Sequence, residues 1–126
     1  MMSDKHLNPA IREATGAFCR SLLEAILPAI REVARAEGFA VAVHDSLKRD
    51  IDLVAVPWTE VAAATKPDDL ARAICGAVAG VLGRCHILGG PTQKPHGRIA
   101  FTLIHAGFAG AIDLSIMPTT LESEAE

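Results

Sequence analysis

Aromatic residues are scarce in this chain, which has no tyrosine, one tryptophan and four phenylalanines among its 126 residues. Surfaces that bind single-stranded nucleic acid use aromatic side chains as stacking platforms, and the chain is poorly supplied with them. Positive charge is not in excess either. The net charge of the chain is −3, so there is no global electrostatic attraction to nucleic acid. A nucleic-acid partner stays open, but it would need a local basic patch.

Long hydrophobic runs are also missing. The longest apolar segments fall far short of a membrane span, and residues 1–6 lack the basic-then-apolar plan of a secretory signal. The three cysteines, Cys19, Cys75 and Cys85, form no CxxC arrangement and cannot all pair, which predicts reduced thiols in the core. The sequence therefore predicts a cytoplasmic protein with no membrane partner.

Apolar residues are plentiful: 50% of the chain is hydrophobic and 21% is charged, as is typical of folded proteins. A chain of 126 residues is long enough for one domain with a true core and too short for two ordinary domains. We therefore expect a single domain over residues 1–120. An acidic tail over residues 121–126 is expected to fray.

A long amphipathic helix is predicted at the start of the chain. Asn8 resembles an N-cap with Pro9 at the first helical position, and apolar residues recur at helical spacing as far as residue 36. Pro28 lies inside this pattern and predicts a kink, or a break into two helices. The apolar face of this segment also offers a surface for a homodimer.

A second helix is predicted from Pro67 to Gly83, with two glycines, Gly76 and Gly80, that indicate close backbone packing. Strand and turn signals surround this helix. Strands are predicted over residues 39–44, 51–56, 86–88, 98–105 and 111–117, with a loop over residues 89–97. The first two strands are joined so briefly that an antiparallel pair is favoured. This order predicts an α+β or α/β fold, in which a mixed, largely antiparallel sheet of four to five strands packs against two or three helices.

Three aspartates on predicted strands are the chief functional signal. Because strand side chains alternate between faces, Asp50 and Asp52 share a face opposite Ile51 and Leu53, and Asp113 is likewise set apart from its apolar neighbours. If the two strands are adjacent, three like charges converge and must be relieved by solvent, by protonation or by a bound cation. Oxygen ligands of this kind suit Mg²⁺ or Mn²⁺. A solvated strand start is the alternative interpretation.

The motif around these aspartates resembles a known family. Residues 44–54 read HDSLKRDIDLV and residues 112–114 read IDL. This layout is similar to the signature of the nucleotidyltransferase fold of DNA polymerase beta, in which a strand ends in Gly-Ser, the next opens with Asp-x-Asp, and a later strand supplies a third carboxylate. It looks closest to small single-domain members, including ones carried by phages and prophages. The resemblance covers residues 41–117.

The resemblance implies a metal-dependent nucleotidyltransferase that binds a nucleoside triphosphate and transfers a nucleotidyl group to an unknown acceptor. Its metal ligands and catalytic residues would be Asp50, Asp52 and Asp113, holding Mg²⁺ or Mn²⁺. The residues expected to contact nucleotide and phosphate are Ser46, Lys48, Arg49, Lys94, His96 and Arg98.

A different class of function also stays open. The glycine that the family places before the serine is Asp45 here, and the spacing from Ser46 to Asp50 leaves no room for a short helix that could cradle phosphate. These two features favour a catalytically inactive binding or regulatory module of phage or prophage origin on the same scaffold. A structural protein that docks through its first helix is the third hypothesis.

Overall fold

Two helices lie on one face of a five-stranded mixed sheet in the computed structural model, which describes residues 8–44, 50–106 and 111–119. The helices are α1 (Pro9–Ala36) and α2 (Pro67–Leu82). The strands are β1 (Phe39–His44), β2 (Ile51–Pro57), β3 (Cys85–Gln93), β4 (Ile99–His105) and β5 (Ile112–Ile116). The short 3-10 helices Glu60–Ala64 and Pro95–Gly97 complete the described elements. The predicted α+β class with a mixed, largely antiparallel sheet is confirmed.

The sheet has the strand order β1-β2-β5-β4-β3. The pairs β1–β2, β4–β5 and β3–β4 are antiparallel, and β2–β5 is parallel. The sequence predicted the first antiparallel pair from its short connection. The parallel pair places β2 beside β5. The convergence of aspartate charges required these two strands to be adjacent, and they are. The predicted tail over residues 121–126 lies outside the described residues.

One unbroken helix contains Pro28, so the predicted break into two helices is wrong. The helix starts as expected, because the Asn8 side chain accepts a hydrogen bond from the Ala10 amide at 2.8 Å. Pro28 is exposed, whereas Ile26 and Ile30 on either side of it are fully buried. Burial of this apolar stripe offsets the lost backbone hydrogen bond at the proline.

The apolar faces of the helices and the inner face of the sheet form one core. Its largest fully buried side chains include Ile26, Ile30, Ile51, Leu53, Leu70, Ile74, Leu103, Ile112 and Leu114. Cys19 and Cys75 are buried in this core, as predicted, and Cys85 is half-buried. The apolar stripe of α1 is covered by the core, so it offers no surface to a partner. A homodimer through another face of this helix stays a prediction. Within the described residues, no helix is both long enough and apolar enough to cross a membrane.

Two details of the second half differ from the predictions. A Cβ atom built on Gly76 or Gly80 would meet nothing within 4 Å, so the predicted close packing at these glycines is wrong. The segment predicted as a loop after residue 88 continues as strand β3 to Gln93, with a register shift between Leu88 and Thr92. Because β3 is an edge strand, the Gly-Gly-Pro sequence inside this shift is tolerated without breaking the sheet.

Candidate functional site

Asp52 and Asp113 lie directly opposite each other on β2 and β5. Their apolar neighbours Leu53 and Leu114 point into the core, so the two carboxyl groups occupy the other face of the sheet. No described helix packs over that face, because α1 and α2 both lie on the core side. The same row continues to His44 on β1 and Thr102 on β4. The sheet thus presents a row of polar side chains on its uncovered face.

The pKa of Asp113 is raised above its ordinary value. Partial burial of the carboxyl group is the largest cause, followed by the negative charges of Asp50 and Asp52 and a side-chain hydrogen bond with Asp52. The positive charge of Lys94 acts in the opposite direction. Two carboxyl groups that interact in this way favour a shared proton or a bound cation. A pKa raised by burial and by specific neighbouring charges is also a physical indication of a functional site.

Replacement of Asp113 by asparagine is expected to stabilise the protein near pH 7 in the absence of divalent cations. The folded state raises the pKa of Asp113, so ionisation costs more when the chain is folded, and wild-type stability falls as pH rises through the raised pKa. The gain in the variant is roughly 0.5 kcal/mol, because partial solvation screens the repulsion. It should vanish below the ordinary pKa of 3.8, where Asp113 is protonated in both states.

Urea unfolding of wild type and Asp113→Asn at neutral and acidic pH checks this expectation. Glu24→Gln is the control. It changes the net charge by the same amount as Asp113→Asn, but the carboxylate that it removes is an exposed one on α1. A gain in Asp113→Asn that is equally large at both pH values would contradict electrostatic repulsion as its cause.

Asp50 differs from Asp52 and Asp113 in its contact with the backbone. It precedes β2, and its Oδ1 atom accepts a hydrogen bond from the Ala111 amide at 3.2 Å. The Ile51 amide in turn donates to the Ala111 carbonyl oxygen at 3.0 Å. These two bonds tie the residue that precedes β5 to the start of β2. One oxygen of Asp50 is therefore engaged beside the start of β5, and Asp50 as a third metal ligand stays a prediction.

The metal centre predicted from three aspartates is thus brought together in part. Across residues 8–44, 50–106 and 111–119, no group of three His, Cys, Asp or Glu side chains is gathered closely enough to hold a metal ion. Asp52 and Asp113 remain as a pair of oxygen donors. This pair fits Mg²⁺, which is commonly held by one or two carboxylates together with water and substrate phosphates. Three protein carboxylates are not required for that chemistry.

Asp52 and Asp113 line a cleft on the uncovered face of the sheet. Two of the predicted phosphate-binding residues line it as well. Lys94 and Arg98 flank the 3-10 helix between β3 and β4, and the Lys94 amide donates to the Arg98 carbonyl oxygen at 2.8 Å. His96 between them is exposed, does not line the cleft and has a φ of 67°. This left-handed conformation is unusual for a residue with a side chain. Ser46, Lys48 and Arg49 lie outside the described residues.

The cleft has a volume of about 490 Å³, which is within the range of small-molecule sites. Sequence reasoning missed several residues that line it: His44, Leu88, Gly90, Thr92, Thr102 and Ser115. Alternation along β4 and β5 would have placed Thr102 and Ser115 on this face. Gly90 and Thr92 of β3 could not have been found in this way, because residues 89–97 were interpreted as a loop.

A larger and more open depression of about 770 Å³ lies between Trp58 and Thr119. Glu60 is the one charged residue among the described residues that line it. It lacks the combination of carboxylates and basic side chains that the smaller cleft contains. The smaller cleft is therefore the better candidate for chemistry.

Comparison of the sequence with protein-family models and with curated proteins finds no match.

Proposed function

We propose that this protein binds a nucleoside triphosphate together with Mg²⁺ in the cleft on the uncovered face of the sheet, and transfers a nucleotidyl group from it to an acceptor. The observation that carries the proposal is the Asp52–Asp113 pair on adjacent parallel strands, with Lys94 and Arg98 lining the same cleft. The pattern of residues 44–54 and 112–114, which contains both aspartates and resembles nucleotidyltransferases of the DNA polymerase beta type, supports the proposal from the sequence.

Each residue has a distinct task in this proposal. Asp52 and Asp113 hold Mg²⁺, or Mn²⁺ in its place, through their carboxylate oxygens. When bound, the ion neutralises charge on the triphosphate and on the group that leaves it. Arg98 offers paired donors to phosphate oxygens, and Lys94 offers a mobile positive charge. Asp50 acts through the backbone of Ala111, which keeps the carboxylate pair in register.

A noncatalytic nucleotide-binding module is the second candidate. The engagement of Asp50 with Ala111 favours it, because two carboxylates then remain to hold metal, whereas the resemblance implies three. Such a module would bind the triphosphate without transferring any part of it. For either candidate we propose a cytoplasmic location, since three cysteines without a CxxC spacing do not suggest a disulfide framework of the kind found in secreted proteins.

Incubation with Mg²⁺ and ATP labelled at the α-phosphate separates the two candidates. In a transfer reaction, an acceptor oxygen forms a bond to the α-phosphorus, the bond between that phosphorus and its bridging oxygen breaks, and pyrophosphate leaves. We expect label in the RNA or protein fraction of a cell extract, with pyrophosphate release, and neither without Mg²⁺. If calorimetric titration shows metal-dependent ATP binding but no pyrophosphate is released, the second candidate is supported. If the titration shows no metal-dependent binding, both candidates are contradicted.

A further inference from the structure

The cleft has an uncharged side. This side is formed by Leu88, Gly90 and Thr92 of β3 together with Ala100 and Thr102 of β4. The charged lining residues, Asp52, Asp113, Lys94 and Arg98, belong to β2, to β5 and to the turn between β3 and β4. An uncharged stretch of β3 and β4 therefore lies in the same cleft as the charged groups, as a ligand with a charged part and a neutral part requires.

Leu88 supplies apolar surface at a suitable distance from the carboxylates. It pairs with Thr102, which in turn pairs with Asp113, so the three residues form one row across β3, β4 and β5. Two interstrand spacings separate Leu88 from Asp113, which amounts to roughly 10 Å. Leu88 is 56% exposed. An exposed leucine at this place in a polar cleft can cover the face of a flat, weakly polar group.

Gly90 leaves open space beside that leucine. A Cβ atom built on Gly90 meets nothing within 4 Å, and the backbone there does not have the positive φ that favours glycine. The local backbone therefore does not require glycine at this position. What the glycine provides is room on the cleft side of β3, next to the register shift between Leu88 and Thr92.

We propose that the uncharged side of the cleft is the nucleoside subsite, in which the base lies over Gly90 against Leu88. This inference rests on the proposed function. The hydrogen-bonding side chains at this side are the hydroxyl groups of Thr92 and Thr102, and a hydroxyl both donates and accepts. A base edge of either polarity can be satisfied by such groups. The subsite therefore accepts all four common bases with little discrimination between them.

Calorimetric titration of Gly90→Leu with Mg²⁺-ATP and with Mg²⁺-tripolyphosphate tests this assignment. The added side chain occupies the space of the base, so we expect ATP affinity to fall by at least about tenfold while tripolyphosphate affinity is unchanged. Gly76→Leu is the matched control, because Gly76 on α2 also has open space around it and lies on the other side of the sheet. It should leave both affinities unchanged.

Leu88→Ser provides a second test that does not enlarge any residue. The side chain is exposed, so its truncation should spare the fold and still weaken ATP binding relative to tripolyphosphate. Wild-type affinities for ATP, GTP, CTP and UTP should agree within about tenfold. A preference for one base by more than about a hundredfold would contradict recognition by hydroxyl groups alone.

The outcomes distinguish this inference from the proposed function. If wild type binds ATP and both Gly90→Leu and Leu88→Ser bind it equally well, the nucleoside subsite is overturned and the phosphate and metal site stands. Equal losses for ATP and tripolyphosphate in Gly90→Leu would also overturn the subsite. If wild type binds neither compound with Mg²⁺, the proposed function itself fails, and the subsite fails with it.

Discussion

Asp52→Asn is expected to weaken Mg²⁺-dependent nucleoside triphosphate binding by at least about a hundredfold. Mutation of groups that merely support metal ligands commonly costs 10- to 100-fold in affinity, so removal of a ligand should cost no less. Asp52 and Asp113 sit side by side, and the loss of either charge leaves a single carboxylate to hold the ion. Titration of the variant with Mg²⁺ and ATP measures this loss.

The fold should survive that substitution, because Asp52 is half-buried on the uncovered face and its charge repels that of Asp113. A loss of binding is therefore not a loss of structure, which a melting curve can verify.

Asp50→Asn is the matched control for the metal pair. The oxygen of the asparagine side chain can still accept the bond from the Ala111 amide, so the register of β5 is kept. We expect affinity within a few fold of wild type, and Asp50→Ala should fall further because it removes the acceptor. If Asp50→Asn loses as much affinity as Asp52→Asn, then Asp50 is itself a ligand and the positioning role is wrong.

Gly38→Ala is expected to destabilise the protein by about 3 kcal/mol or more, the largest effect on stability that we predict. Gly38 ends the turn between α1 and β1 with a φ of 87°, in the left-handed region that side chains disfavour. A Cβ atom there would clash with the Ala62 backbone nitrogen and would lie 2.8 Å from the Thr59 hydroxyl oxygen. The backbone of the 3-10 helix Glu60–Ala64 would have to move to make room.

That movement would also disturb hydrogen bonds around Gly38. Its carbonyl oxygen accepts from the Trp58 amide at 2.8 Å and from the Thr59 amide at 3.1 Å. Urea unfolding measures the loss, with Gly76→Ala as a control that should gain up to about 1 kcal/mol in an exposed helix interior. Stability of Gly38→Ala within about 1 kcal/mol of wild type would show that this turn adapts and that the predicted clash is relieved.

The adjacency of Asp52 and Asp113 could be predicted from sequence only in part. Alternation of apolar residues correctly placed each of them opposite the core, because period two is a local property of a strand. Whether β2 and β5 are neighbours depends on pairing between segments about sixty residues apart, which no local pattern determines. For Asp50, which precedes β2, no local pattern indicates that its Oδ1 atom accepts a hydrogen bond from the Ala111 amide, sixty-one residues further along the chain.

Tertiary context also overrode local propensity at three places. Pro28 predicts a break, yet the buried residues Ile26 and Ile30 hold α1 as one helix. The Gly-Gly-Pro sequence predicts a loop, yet pairing with β4 extends β3 through it. Gly76 indicated close packing, yet the space around it is open. Composition alone could not reveal these outcomes, because each depends on what lies across from the residue in the folded chain.

The most direct test of the account is calorimetric titration of wild type and of Asp52→Asn/Asp113→Asn with ATP, in the presence and absence of Mg²⁺. The account predicts that wild type binds ATP only with Mg²⁺ and that the double variant, still folded by its melting curve, shows no metal-dependent binding. Equal affinity of the two proteins for Mg²⁺-ATP, or no binding by the folded wild type, would contradict the assignment of this carboxylate pair as a nucleotide and metal site.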